Sequence, residues 1–457
     1  MKGERPGADR PADAYGRQVD SLLGAAGLPA VGAAAEPSTP CCELEAWAGS
    51  GGMALTGRPD GRPLAPSAPV LGRLEAVAAA VARTTARLGR RVEVDVPRTL
   101  FGRAALLGSR RAGRWSVGGS CRLLRADPGW VAVNLPRADD VDAVPALVGR
   151  PITDPWAALA DDAATRPAGV LASAAQELSI PAAELGGARG ARLGADRLGP
   201  PQPGRRPLLV VDLTAMWAGP VVAQILGSMG ARVIKVETPR RRDGARRGPP
   251  EFFDWLHAGH ESAAWDFTTR DGAARLQELL SDADVVLEAS RPRALRQLGI
   301  DAAALVAARP GRTWVSITAY GRDDPDSNRV GFGDDVAVGA GLVARDDAGE
   351  PVFCGDAVAD PIAGLVGALA TTAALAAGGG YLLDVSLAAA GAFVAEPAAW
   401  APEHRVVASG HGRWAVTHGA ARHEIRDPMP PPTGRRAEPI GASTAAVLGE
   451  LTVGAAR

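Results

Sequence analysis

The stretch FCGDAVADPIAGLVGALATTAAL, Phe353 to Leu375, sets two carboxylates, Asp356 and Asp360, just ahead of a long apolar run. Asp360 precedes Pro361, and Asp before Pro is a common helix start, so spacing alone favours an N-cap. The chemical alternative is a working carboxylate, since a helix N-terminus would hold it ionised and aimed. Asp356 ranks second because it lies farther from the helix start. Gly339 and Gly341 in AVGAGLV let backbone amides approach an oxyanion, or simply make a tight loop. Lys235 and Glu237 end a buried apolar run, where open α/β sheets bind ligands; their plainer role is solvent-facing charge. Arg240, Arg241, Arg242 and Arg246 follow, offering paired N–H groups to phosphate or only a solvated face.

Other chemistry is weaker. His404, His411, His418 and His423 fit no compact zinc spacing and no Cys lies among them, so no metal site is expected. Cys354 has no neighbour to activate it and reads as packing. Four cysteines without a Cys-x-x-Cys pair argue against a disulfide framework and for a reducing, cytoplasmic setting. A net charge of -1 with 46% hydrophobic residues gives no bulk attraction to nucleic acid or a membrane surface. The N-terminus MKGERPGADRPADAYGR lacks an apolar signal core. The Ala-rich run after Asp360 contains breakers and ends in glycines, so it reads as a buried helix and not a membrane span.

The elements that must position these groups follow from patterning. Residues 1–40, rich in Gly, Ala and Pro, predict a flexible start. Residues 41–200 predict a smaller α+β lobe. It holds a helix near Leu71–Arg87, a strand in RRVEVDV, two strands about Ala126–Gly129, and helices near Asp139–Leu147 and Trp156–Ala164. RLGADRLGPPQPGRRP reads as a linker. From 205 to 395, apolar runs such as PLLVVDL and RVIKVE alternate with helical patterns, which predicts an α/β fold with a Rossmann-like doubly wound parallel sheet. Residues 396–457 predict short strands, a Pro-rich segment and a closing helix.

One element occurs twice. RPLAPSAPVLGRLEAVAAAVARTTA, from Arg62, echoes the Phe353 stretch, with Ala68 where the later copy has Asp360. GSGGMALTGRPDGRP precedes the first copy and GAGLVARDDAGEP the second, and Asp95-Val96 answers Asp384-Val385. Three features aligned in order point to internal duplication.

VVDLTAMWAGPVVAQILGSMGARVIKVETP resembles the family III CoA-transferases of CaiB/BaiF type, whose pattern is D-L-T/S-x-x-x-A-G-P-x-x-x-x-x-L-x-x-x-G-A-x-V-I-K-V-E. SDADVVLEASRPRALRQLGI and SITAYGRDDP are similar to further family segments. The resemblance implies that Asp360 is the nucleophile, that Ala218, Gly219, Lys235, Glu237, Arg240, Arg246, Gly339 and Gly341 border the nucleotide, and that acyl-CoA and a carboxylic acid are the substrates. It implies no permanently bound cofactor, and a homodimer or a fusion that meets the dimer's contacts within one chain. The order is unusual, because a copy without the nucleophile precedes the nucleotide half. HAGHES stands where the family often has N-x-x-K-R-S, so His257, His260 and Glu261 replace its Asn, Lys and Arg, and a cationic contact to CoA is lost. Two other readings stay open. One is an acyl-CoA racemase, although Asp334 stands where such relatives have His; the other is a CoA-binding protein without catalysis.

Overall fold

Strands β5 (Leu209–Asp212), β8 (Val285–Glu288) and β9 (Thr313–Thr318) are buried along nearly their whole length. Val210, Val285, Leu287 and Val315 face one core, while Leu209, Val211, Val286 and Trp314 face another. This is the two-sided burial that a parallel sheet under two helix layers demands. The computed structural model describes residues 11–32, 42–202, 207–290, 292–323, 325–397, 404–410 and 412–454.

In chain order, α1 (Pro11–Ala25), α2 (Glu43–Ser50), α3 (Val70–Arg87) and α4 (Val96–Leu106) come first. A small sheet follows, of β1 (Cys121–Arg125), β2 (Trp130–Asn134) and β3 (Ala182–Glu184), with α5 (Ala138–Val148), α6 (Pro155–Ala163) and α7 (Ala168–Glu177). Next are β4 (Gly194–Arg197), β5, α8 (Ala218–Ser228), β6 (Arg232–Glu237), α9 (Pro250–His257), β7 (Glu261–Ala264) and α10 (Arg270–Asp282). Then β8, α11 (Pro292–Gln297), α12 (Ala302–Ala308), β9, α13 (Gly333–Gly339) and the hairpin β10 (Val343–Arg345) and β11 (Pro351–Phe353) lead to α14 (Ala359–Ala376). The chain continues with β12 (Tyr381–Ser386), α15 (Leu387–Ala395), an antiparallel sheet of β13 (Arg405–Gly410), β14 (Arg413–His418) and β15 (Ala421–Glu424), and α16 (Thr444–Gly454).

The seven-stranded sheet has the order β4-β12-β9-β8-β5-β6-β7, parallel except for β4. The α/β fold predicted from patterning is what the chain adopts. The apolar helix α14 is the single candidate membrane span among the described residues by length and composition, and 83% of it is buried inside the protein. It packs against α3, α8 and α15. Gly364 permits the contact with α8, since a Cβ there would lie 2.7 Å from Val221 Cβ and 2.8 Å from the Ala218 carbonyl oxygen.

Several boundaries differ from those expected. Residues 11–32 are not a loose start, because Val19 and Leu23 are fully buried and α1 lies on α3; residues 1–10 and 33–41 lie outside the described residues. The apolar face of α3 joins the main core and not the small lobe, whose separate core runs from Leu124 to Ala182. RRVEVDV forms no strand: 91–95 have no regular secondary structure, and Asp95 caps α4 by accepting from Arg98 N at 3.0 Å. Within the expected linker, β4 forms the antiparallel edge of the large sheet, pairing Gly194 with Asp384.

The two copies of the repeat touch each other. Helices α3 and α14 pack together, and Thr84 Oγ1 lies 2.9 Å from Thr372 Oγ1. Where α14 opens with Asp360, the first turn of α3 is occupied by a carboxylate from elsewhere. Glu43 accepts from Leu71 N at 2.6 Å and Gly72 N at 3.0 Å. Tyr15 of α1 covers the same turn, and a Cβ at Gly72 would lie 2.5 Å from its ring. The earlier copy is thus filled and covered.

Candidate active site

Asp360 occupies the second position of α14, and its own N–H bonds to the Ala357 carbonyl at 3.0 Å. Ala357 turns the chain there with φ of +45°, a conformation that L-residues other than Gly rarely adopt. That turn brings Asp356 and Asp360 into one cluster with Asp334 of α13. Asp334 Oδ1 accepts from Ala357 N at 2.9 Å, and its carboxylate also bonds Ser116. Arg103 of α4 is the cluster's cation. Its Nε and Nη2 grip Asp356 at 2.8 and 2.5 Å, and its guanidinium lies 4.8 Å over the Trp217 ring. Asp356 is fully buried, so this fork replaces the water it has lost.

The electrostatics are those of several acids sharing one base. Burial is the main force raising Asp360 to about 7; Arg103 opposes it and Asp334 adds to it, while the Gly333 N–H bonds the carboxylate. Asp334 is raised to about 6 by burial and by Asp356, again against Arg103. Asp360 remains only half-buried, whereas Asp334 and Asp356 are enclosed. Like charges held this close titrate together.

Gly333 is where backbone and carboxylate meet. A Cβ there would lie 2.1 Å from the Ala357 carbonyl oxygen and 2.8 Å from Asp360 Oδ2. Gly333→Ala is therefore expected to push the Asp360 turn out of place and to lose about 1–3 kcal/mol, as overpacking does. Urea unfolding checks this, and an unchanged midpoint would contradict it.

The other residues expected at the site fall into three groups. Ala218 and Gly219 begin α8 and stand beside α14, with Gly219 so close to Thr214 that a Cβ would lie 2.2 Å from its side chain. Lys235 and Glu237 require correction, because both are buried and internally paired. Lys235 Nζ lies 2.9 Å from both Asp243 Oδ2 and the Thr214 carbonyl oxygen. Arg246 forks onto Glu237 at 2.6–3.0 Å and stacks on Phe253, so it too is withdrawn from a ligand. Arg240 is exposed and pairs with Asp266 at 2.8 Å.

Gly339 and Gly341 also depart from expectation. The Gly341 N–H is spent on the Val338 carbonyl at 2.9 Å, and the residue lines a cleft of about 360 Å³ with Arg62, Arg189, Arg345 and His404. Gly339 lines a different cleft, with Tyr320 and Arg329. Neither cleft includes Asp334, Asp356 or Asp360. The backbone amide that does reach Asp360 belongs to Gly333. In the altered segment, burial first and then the charge of Lys235 hold His257 well below the usual imidazole range and His260 at about 4. Both rings are therefore neutral and supply no cation.

Sequence reasoning missed Arg103, Ser116 and Gly333. Arg103 left one trace: it lies three and four residues after Leu100 and Thr99, both buried, so it puts a charge on an inward face.

Residues 207–421 match the family model for CoA-transferase family III. Succinate–glutarate CoA-transferase of Agrobacterium fabrum is 32% identical over 208 residues, covering 40% of this chain and 52% of that protein. The probable fatty acyl-CoA transferase Rv3272 of Mycobacterium tuberculosis is 34% identical, over 36% of this chain and 45% of its own. A crystal structure of Rv3272 aligns with a TM-score of 0.38 at 31% identity, covering 42% of this chain and 57% of that one. The chain thus spans about half the length of the curated relatives it matches. Residues 207–421, which carry the parallel strands and Asp360, are thus similar to CoA-transferase family III over a little under half of the chain.

Proposed function

We propose that this protein moves CoA from an acyl-CoA thioester to a carboxylic acid, with Asp360 as the nucleophile. The observation that carries the reading is the setting of Asp360: a half-buried carboxyl at the first turn of a buried helix, raised to about 7, beside a single guanidinium. In the first step an Asp360 oxygen attacks the thioester carbonyl, the C–S bond breaks, and an aspartyl mixed anhydride forms with release of CoA thiolate. The thiolate then attacks the aspartyl carbonyl, which frees the first acid as its carboxylate and leaves an enzyme–CoA thioester. The incoming carboxylate attacks that thioester, forming a second anhydride and expelling the thiolate. Attack of the thiolate on the new acyl carbon yields the product thioester and restores Asp360.

The protein's part is to supply an ionised, poorly solvated carboxylate and to steady the charge that moves through the cycle. Arg103 and the Gly333 N–H are the groups aimed at that charge. Arg103 belongs to the N-terminal half of this same chain, so the proposed chemistry needs no second copy. Arg240, Arg241 and Arg242 are exposed beyond the carboxyl end of β6 and are our candidates for CoA phosphate contact.

The test is to incubate the protein with acyl-CoA, trap with hydroxylamine or borohydride, and analyse peptides by mass. Modification at Asp360, lost in Asp360→Ala, is the expected result. Deuterium exchange at the acyl α-carbon without CoA transfer would favour the racemase instead. CoA binding without adduct or exchange would leave a binding protein.

A further inference from the structure

Histidines that sequence spacing set aside come together with a cysteine. Cys42 is the N-cap of α2, and its Sγ accepts from Glu45 N at 3.3 Å. The Glu45 and His404 side chains are each only 5% exposed, and His404 Nε2 lies 3.1 Å from Glu45 Oε1. His423, on β15, brings its Nε2 to 3.5 Å from the same oxygen. One donor atom each from Cys42, Glu45 and His404 lie within 4.8 Å of one another. The His418 ring stacks on His404 with centroids 4.1 Å apart, which fixes the plane of the ligating ring.

We propose that Cys42, Glu45 and His404 form a binding site for a zinc ion, which joins α2 to the C-terminal sheet, with the His423 ring turning in from β15 as the fourth ligand. Zinc bonds of about 2.0–2.3 Å in tetrahedral geometry set neighbouring donor atoms roughly 3.3–3.6 Å apart. The two imidazole nitrogens stand 3.1 and 3.5 Å from the shared carboxylate oxygen, on either side of the lower bound. A set of one sulfur, one oxygen and two imidazole nitrogens suits a borderline-soft cation, whereas calcium and magnesium require oxygen alone. Binding replaces the Cys42 thiol proton: the S–H bond breaks, an S–Zn bond forms, and the proton passes to solvent. The alternative is that Glu45 merely accepts hydrogen bonds from the two rings, with Cys42 as an ordinary cap.

The full-length protein, stripped with chelator, is titrated with cobalt(II) as a spectroscopic probe. We expect one equivalent bound per chain, strong visible bands of tetrahedral cobalt, a near-ultraviolet thiolate-to-cobalt band, and displacement by zinc. In a Cys41→Ser background, which removes the adjacent thiol, Cys42→Ser abolishes the near-ultraviolet band. His423→Gln, at a half-exposed position, weakens cobalt binding by at least ~10-fold with an unchanged circular dichroism spectrum. Absence of cobalt binding, or a spectrum that Cys42→Ser leaves intact, overturns the proposal.

Discussion

Arg103→Ala is expected to destabilise the protein by about 3–5 kcal/mol, the usual cost of stranding one partner of a buried ion pair. Asp356 has no exposed surface and takes two N–H groups from Arg103. Without them its charge has neither water nor counter-ion. Removing the carboxylate as well relieves that burden, so Arg103→Ala/Asp356→Ala should lose less than Arg103→Ala alone. The coupling appears in a double-mutant cycle by urea unfolding, and simple additivity would contradict it. The chemistry responds too. Arg103 opposes the rise of Asp360 and Asp334, so its loss drives both acids higher. In Arg103→Ala the acid limb of the transfer rate should move to higher pH, and in Arg103→Lys, which keeps the charge, it should move less.

Asp360→Asn is expected to abolish acyl capture and, at pH 8, to stabilise the fold. The folded carboxyl titrates at about 7 against 3.8 for an ordinary Asp, so the folded chain holds the proton more tightly than the unfolded one. The contribution to stability is therefore full below pH 4 and is lost as pH rises through 7. Asn carries no charge to bury and escapes that loss. The variant should gain ~2 kcal/mol at pH 8, less than the whole shift implies because the half-buried group keeps some water. That gain should vanish near pH 4. Unfolding at several pH values checks the sign, and a variant less stable than the parent at pH 8 would contradict it. Asp334, raised to about 6, and Asp335, raised to about 7, act in the same direction, so wild-type stability should also fall between pH 5 and 8.

Much of the fold was legible because burial leaves a one-dimensional record. VVD and VIKV read as two-faced strands, and the Ala-rich helix after Asp360 could be drawn from its ends. RRVEVDV misled because alternation marks one buried face but does not supply a partner strand, and Asp95 drew the chain into a helix instead. Strand β4 hid in a Gly- and Pro-rich run because an edge strand needs few apolar residues. At the site, Asp360 could be singled out locally, whereas Arg103 and Ser116 reach it only through tertiary packing. Lys235 and Arg246 looked available because sequence shows a charge and not its partner. Cys42 and His404 likewise meet only through the sheet that carries His423.

The pairing of α3 with α14, and of Arg103 with Asp356, has a consequence for biosynthesis. Translation delivers the first members of both pairs early and the second members on the order of ten seconds to a minute later, at roughly 5–20 residues per second. Throughout that interval the emerging polypeptide shows the ribosome exit a bare apolar helix and a stranded guanidinium. That exposed face is open to aggregation until its partner emerges, and a prematurely terminated product carries neither a finished interior nor Asp360.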